Sequence, residues 1–103
     1  MYKIIIYIPV THLEVIKNAL FAAGAGNLGE YRACSWQVLG EGQFIPKAAS
    51  SPFIGTAGQL EKVAEYKVEM ICATEHIKAA IAELKRSHPY EEPAYQVIKL
   101  ENF

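Results

Sequence analysis

From residue 88 to residue 95 the chain reads His88-Pro89-Tyr90-Glu91-Glu92-Pro93-Ala94-Tyr95, its densest run of groups that could do chemistry. An imidazole close to two carboxylates and two phenols could ligate a divalent metal, move a proton or hold a small ligand. His88, Tyr90, Glu91, Glu92 and Tyr95 are therefore the candidate ligand-binding residues. The spacing argues against a metal or catalytic centre, because neighbouring side chains on an extended backbone point to opposite sides. Pro89 should stop a preceding helix and Pro93 should force an extended approach to a following strand, so the segment reads first as a rigid corner.

The remaining reactive groups are scattered. His12 and His76 fall at helix starts, where an imidazole is usually solvated, and His88 at a helix end, where its cation would suit the dipole. No His-x-x-x-His or Cys-x-x-Cys spacing occurs, so no metal ligand set is expected. Cys34 and Cys72 read as buried thiols of a reducing compartment rather than a disulfide pair. No Ser/His/Asp or Cys/His arrangement can be argued from spacing, so no catalytic residue, enzymatic activity or cofactor is expected. Gly24, Gly26 and Gly29 sit at the C-terminal end of a helix, the wrong end for phosphate. The turn Gly55-Thr56-Ala57-Gly58, with Lys47 and Lys62 in reach, is a better place for a small anion, although a plain structural turn explains it as well.

Composition removes whole classes of partner. A formal net charge of -1 leaves no basic field for nucleic acid, and Trp36 without clustered basic residues reads as core or interface rather than as a stacking platform. The apolar start breaks at Pro9 and has no small-residue cleavage site, so it reads as a strand of a cytoplasmic protein, not a signal peptide or membrane span.

The elements that must position these groups follow from periodicity. At 103 residues, half of them apolar, one domain spanning 1–103 with a two-layer core is expected. Strands are predicted over 2–9, 31–39, 60–73 and 94–100, and helices near 11–24 and 75–87, with Thr11 and Thr74 as caps and Gly24 and Gly26 ending the first helix. Cys34, Trp36 and Val38 should form the drier face of the second strand. Residues 40–58, rich in Gly, Pro and Ser, read as a loop that packs down on its own body or on a neighbouring subunit through Phe44, Ile45, Phe53 and Ile54. The order βαββαβ is that of an α+β, ferredoxin-like fold: a four-stranded antiparallel sheet with both helices on one face. The other face, carrying Ile5, Tyr7 and Ile71, is too apolar to stay wet and should pack on another copy of the chain.

The run Ala19-Leu20-Phe21-Ala22-Ala23-Gly24-Ala25-Gly26-Asn27-Leu28-Gly29-Glu30-Tyr31 is followed by Cys34-Ser35, Gly40-Glu41-Gly42-Gln43-Phe44 and Pro46. Pro52-Phe53-Ile54-Gly55, Gly58, Leu60-Glu61 and the corner at 88–95 come next in order. Over nearly the whole chain this closely resembles the domain inserted into many bacterial Nif-three-like proteins, the dinuclear-metal-centre or GTP cyclohydrolase I type 2 homologues. The resemblance implies a fold similar to CutA and the PII signalling proteins, and with it a homotrimer. The metal site of that family belongs to a surrounding body absent from this sequence, so the resemblance hands no catalytic or metal role to any residue here. It implies an oligomeric, non-enzymatic binding or regulatory module that holds a small molecule between subunits. The alternative is a CutA-like protein of divalent metal binding or copper tolerance, and a third reading is an enzyme with an intersubunit site built on His88, Glu91 and Glu92.

Overall fold

A computed structural model describes residues 1–103. Strands β1 (Tyr2–Pro9), β2 (Trp36–Phe44), β3 (Glu61–Cys72) and β4 (Tyr95–Lys99) form one antiparallel sheet in the order β2-β3-β1-β4. Helices α1 (Leu13–Ala22) and α2 (Ile77–Ser87) connect β1 to β2 and β3 to β4. This is the ferredoxin-like arrangement expected from the sequence. Ile4, Ile6 and Ile8 alternate on one face of β1 and are fully buried with Val68 and Cys72 of β3, Ile16 and Leu20 of α1, and Leu84 of α2. Each such side chain contributes roughly 1.5–3 kcal/mol by leaving water, so the strand pattern and the two helical stripes select a single packing. No helix is long and apolar enough to cross a membrane.

The helix starts differ from expectation. Neither Thr11 nor Thr74 caps: each lies in a short 3-10 turn, Val10–His12 and Thr74–His76, with no side-chain cap bond. Thr11 Oγ1 pairs with His12 Nδ1, and Thr74 Oγ1 accepts from the Met1 amino nitrogen. At the second helix the 3-10 turn supplies a backbone partner, His76 N–H to Ala73 O, which takes over part of the work of a cap. The end of α1 is as predicted. Ala25 N–H reaches Leu20 O and Gly24 N–H reaches Phe21 O, a Schellman closure with Gly24 at φ 108°. A Cβ there would lie 2.6 Å from the His76 ring, so the turn also gives the second helix room to start.

The second strand is displaced from 31–39 to Trp36–Phe44, and Gly40 and Gly42 lie inside it rather than in a loop. Its pairing with β3, from Trp36 opposite Glu69 to Phe44 opposite Glu61, overrides the turn propensity of the glycines. Cys34 falls outside the strand and is only half-buried, while Trp36 (58% exposed) and Val38 (45%) face away from the helices. The predicted dry face of β2 is therefore part of the open side of the sheet. Cys72 is buried as expected, and burial raises its pKa. At the other edge β4 pairs with β1, and Leu100 N–H donates to Met1 O at 3.0 Å.

Candidate functional site

The corner after α2 starts at His88, whose backbone has turned extended (ψ 133°) while its N–H still reaches Leu84 O. The imidazole is buried. Its Nε2 lies 2.8 Å from Tyr7 O, and the Tyr90 backbone N–H donates to Nδ1 at 3.1 Å. An accepting Nδ1 carries no proton, so Nε2–H is the donor to Tyr7 O and both nitrogens are committed. Burial pushes the His88 pKa down, which corrects the expectation of a cation serving the helix dipole.

Tyr90 turns back over that ring, with centroids 4.9 Å apart. Its other neighbours are Phe44 at 6.2 Å and Phe53 at 6.4 Å, and Phe53 meets His12 edge-on at 5.5 Å. The loop thus packs on its own body through Phe53, with Phe44 at the end of β2 beside it, although Phe53 and Ile45 stay more than half exposed. Tyr90 Oη is buried beside the Glu65 carboxylate, without the geometry of a formed hydrogen bond to it or to any other group. Burial raises its pKa, and the nearby Glu65 carboxylate adds to the effect by opposing a phenolate.

Glu91 accepts the Ser51 backbone N–H on both oxygens at 3.0 Å, which ties the loop to the corner. Loop and corner together roof a cavity of about 400 Å³ whose floor includes Tyr7, Gly42 and Glu65. The size and the largely apolar lining suit a small molecule. Of the five candidates, Tyr90, Glu91 and Glu92 line the cavity, and His88 stands behind it. Tyr95 lies opposite Ile6 on the helix side of the sheet, with Lys85 Nζ 5.9 Å from its ring centroid, so the structure does not bring it to the others.

Glu65, Gly42 and Ser51 were not among the sequence candidates. Glu65 lies on the face of β3 opposite Val68, Met70 and Cys72, a placement readable from strand alternation. A Cβ at Gly42 would collide with the Glu65 carboxylate where it now lies. Nothing in the local sequence signals the Ser51 contact. The candidate anion turn is otherwise engaged: Gly58 N–H donates to Pro46 O, and Gly55 packs against acidic Glu61. No three His, Cys, Asp or Glu side chains lie close enough together to hold a metal ion.

No family model matches the chain. It is 42% identical over 98 residues to the GTP cyclohydrolase 1 type 2 homolog of Mycobacterium leprae, which covers 95% of the chain and 26% of that protein. A Bacillus cereus protein related to NIF3 superposes with a TM-score of 0.83 at 38% identity, over 98% of this chain and 26% of that one. The chain is a homologue of one segment of the NIF3-related proteins. It spans about a quarter of the length of those relatives. The chain also superposes on the PII-like protein CutA from Nostoc sp. PCC 7120 with a TM-score of 0.69 at 18% identity, covering 99% of this chain and 83% of that one. That likeness fixes the fold as CutA-like and says nothing of function.

Several polar groups of the site are already engaged within the protein. Its imidazole has no free nitrogen, its phenol is held un-ionised, and the Glu91 carboxylate is occupied by a backbone amide.

Proposed function

We propose that this NIF3-related segment is a non-enzymatic, small-molecule-binding module that assembles as a homotrimer. The observation that carries the reading is the cavity under the loop, with a buried Tyr90 hydroxyl that has no partner inside the protein. Leaving such a group unsatisfied costs about 1–3 kcal/mol, so it is placed to gain from a ligand's acceptor. Tyr90, Glu92 and Glu65 are the contact residues, while His88 and Glu91 hold the walls. Tyr95 has no part in binding. Assembly is supported by the sheet face away from the helices, where Trp36, Val38 and Ile98 are all exposed beside half-buried Ile5 and Ile71. The trimer itself rests on the resemblance to CutA and PII proteins.

The test is an NMR screen of the full chain against a library of neutral, anionic and cationic metabolites. Binders should shift the amides of Gly42, Glu65 and Tyr90 together. A library without a single compound acting on these amides would overturn the binding reading, and light scattering showing only monomer would overturn the assembly.

A further inference from the structure

Resting on that binding reading, we infer that the cavity's ligand is a small organic cation: an ammonium group carried on an apolar body. Three carboxylates, Glu65, Glu91 and Glu92, line the cavity against one basic residue, Lys47. They are not equivalent. Glu91 already accepts the Ser51 amide, and Glu92 is exposed. Glu65 is half-buried on the floor, has no ion-pair partner, and has the neutral Tyr90 hydroxyl as its polar neighbour. Two other half-buried acids show the contrast: Glu69 on β3 pairs with Lys3, and Glu83 on α2 pairs with Arg86. A carboxylate kept partly from water without a counter-charge is unfavourable, and a cation in the cavity would remove that cost.

The backbone makes room for this arrangement. Gly42 lines the cavity, and a side chain there would displace the Glu65 carboxylate. Beside the acid stand the rings of Phe44, Phe53 and Tyr90, within 6.4 Å of one another along the chain of contacts. Aromatic faces carry negative potential and attract ammonium groups, most of all where water is excluded. An anion would meet the same faces and three carboxylates. A neutral ligand would leave Glu65 as it is. His12 contributes no opposing wall, since it meets the outer edge of Phe53 and does not line the cavity.

Three probes of nearly one shape separate charge from shape: phenethylammonium, phenethyl alcohol and phenylacetate, each titrated into the full chain and followed by amide shifts. Phenethylammonium should bind on the order of tenfold more tightly than the alcohol, and phenylacetate most weakly. Glu65→Gln should erase the preference for the cation over the alcohol. Phe53→Leu, which keeps an apolar wall but removes a π face, should reduce the same preference by a few fold. It serves as the independent variant if Glu65→Gln loses the dispersed spectrum of a folded chain. Equal binding of alcohol and cation, or tighter binding of phenylacetate, would overturn the cation assignment while leaving the binding reading intact. Absence of shifts with all three probes would overturn the assignment as well, and the wider metabolite screen would then decide separately whether the cavity binds anything.

Discussion

The Ser51 backbone N–H lies 3.0 Å from each carboxylate oxygen of Glu91, joining segments 40 residues apart. One end is the loop between β2 and β3, the other the corner between α2 and β4. The bond closes one side of the cavity and needs no regular secondary structure to do so.

Glu91→Gln should therefore loosen the roof more than the fold. A charge-assisted bond becomes an ordinary one, a loss of about 1 kcal/mol at most for these exposed groups. Amide hydrogen exchange at Ser51 should quicken several-fold while the core strands keep their protection. Unaltered exchange at Ser51 would show that the contact does not hold the loop.

Tyr90→Phe deletes a buried hydroxyl that has no partner. Stability should stay level or rise by up to about 1 kcal/mol, because a desolvation cost disappears with little change in packing. Ligand affinity should fall in the same variant. Denaturant titration checks the first part, and a clear loss of stability would mean that the hydroxyl is satisfied in solution.

His88 makes folding pH-dependent. Its pKa in the folded chain lies below the ordinary 6.5, chiefly because of burial. Between the two values the unfolded chain binds more protons, so stability rises with pH across that window. The contribution is complete above the unfolded value and is lost as the pH falls through the folded one. Thermal melts of the parent should weaken on acidification below about pH 6.5 more steeply than those of His88→Gln, which can keep a donor to Tyr7 O but does not titrate. Parallel pH profiles for the two proteins would remove His88 as the source.

Trp36→Glu addresses assembly. Trp36 is 58% exposed in the isolated chain, so a charge there should cost the monomer little. On the open sheet face it should block self-association and give monomer mass by light scattering. An oligomer that survives the substitution would place the interface elsewhere.

Most of the fold could be read from the chain because its signals were periodic. Alternating isoleucines in β1 and the stripe of Ile77, Ala80 and Leu84 in α2 fix both the element and the face it buries. The second strand was misplaced for the opposite reason: Gly40 and Gly42 carry a turn signal, and only the pairing with β3 and the space claimed by Glu65 explain them as strand residues. The corner motif marked the right region but not the right division of labour. A sequence shows that His88, Tyr90 and Glu91 are close together, yet the commitment of His88 to Tyr7 O and of Glu91 to Ser51 depends on partners 81 and 40 positions away.

Pairing of the first strand with the last has a mechanical meaning for any longer polypeptide that carries this domain. With Tyr2 opposite Lys99 and Leu100 bonded to Met1, the path into the domain and the path out of it run side by side. A host chain would have to open by little more than the width of two adjacent strands to accommodate the whole unit, and its own halves could remain in register across the gap. Pulling on the two ends, by contrast, would load the β1–β4 hydrogen bonds one after another, like a zip, so this edge should yield first under tension while the sheet interior stays shielded.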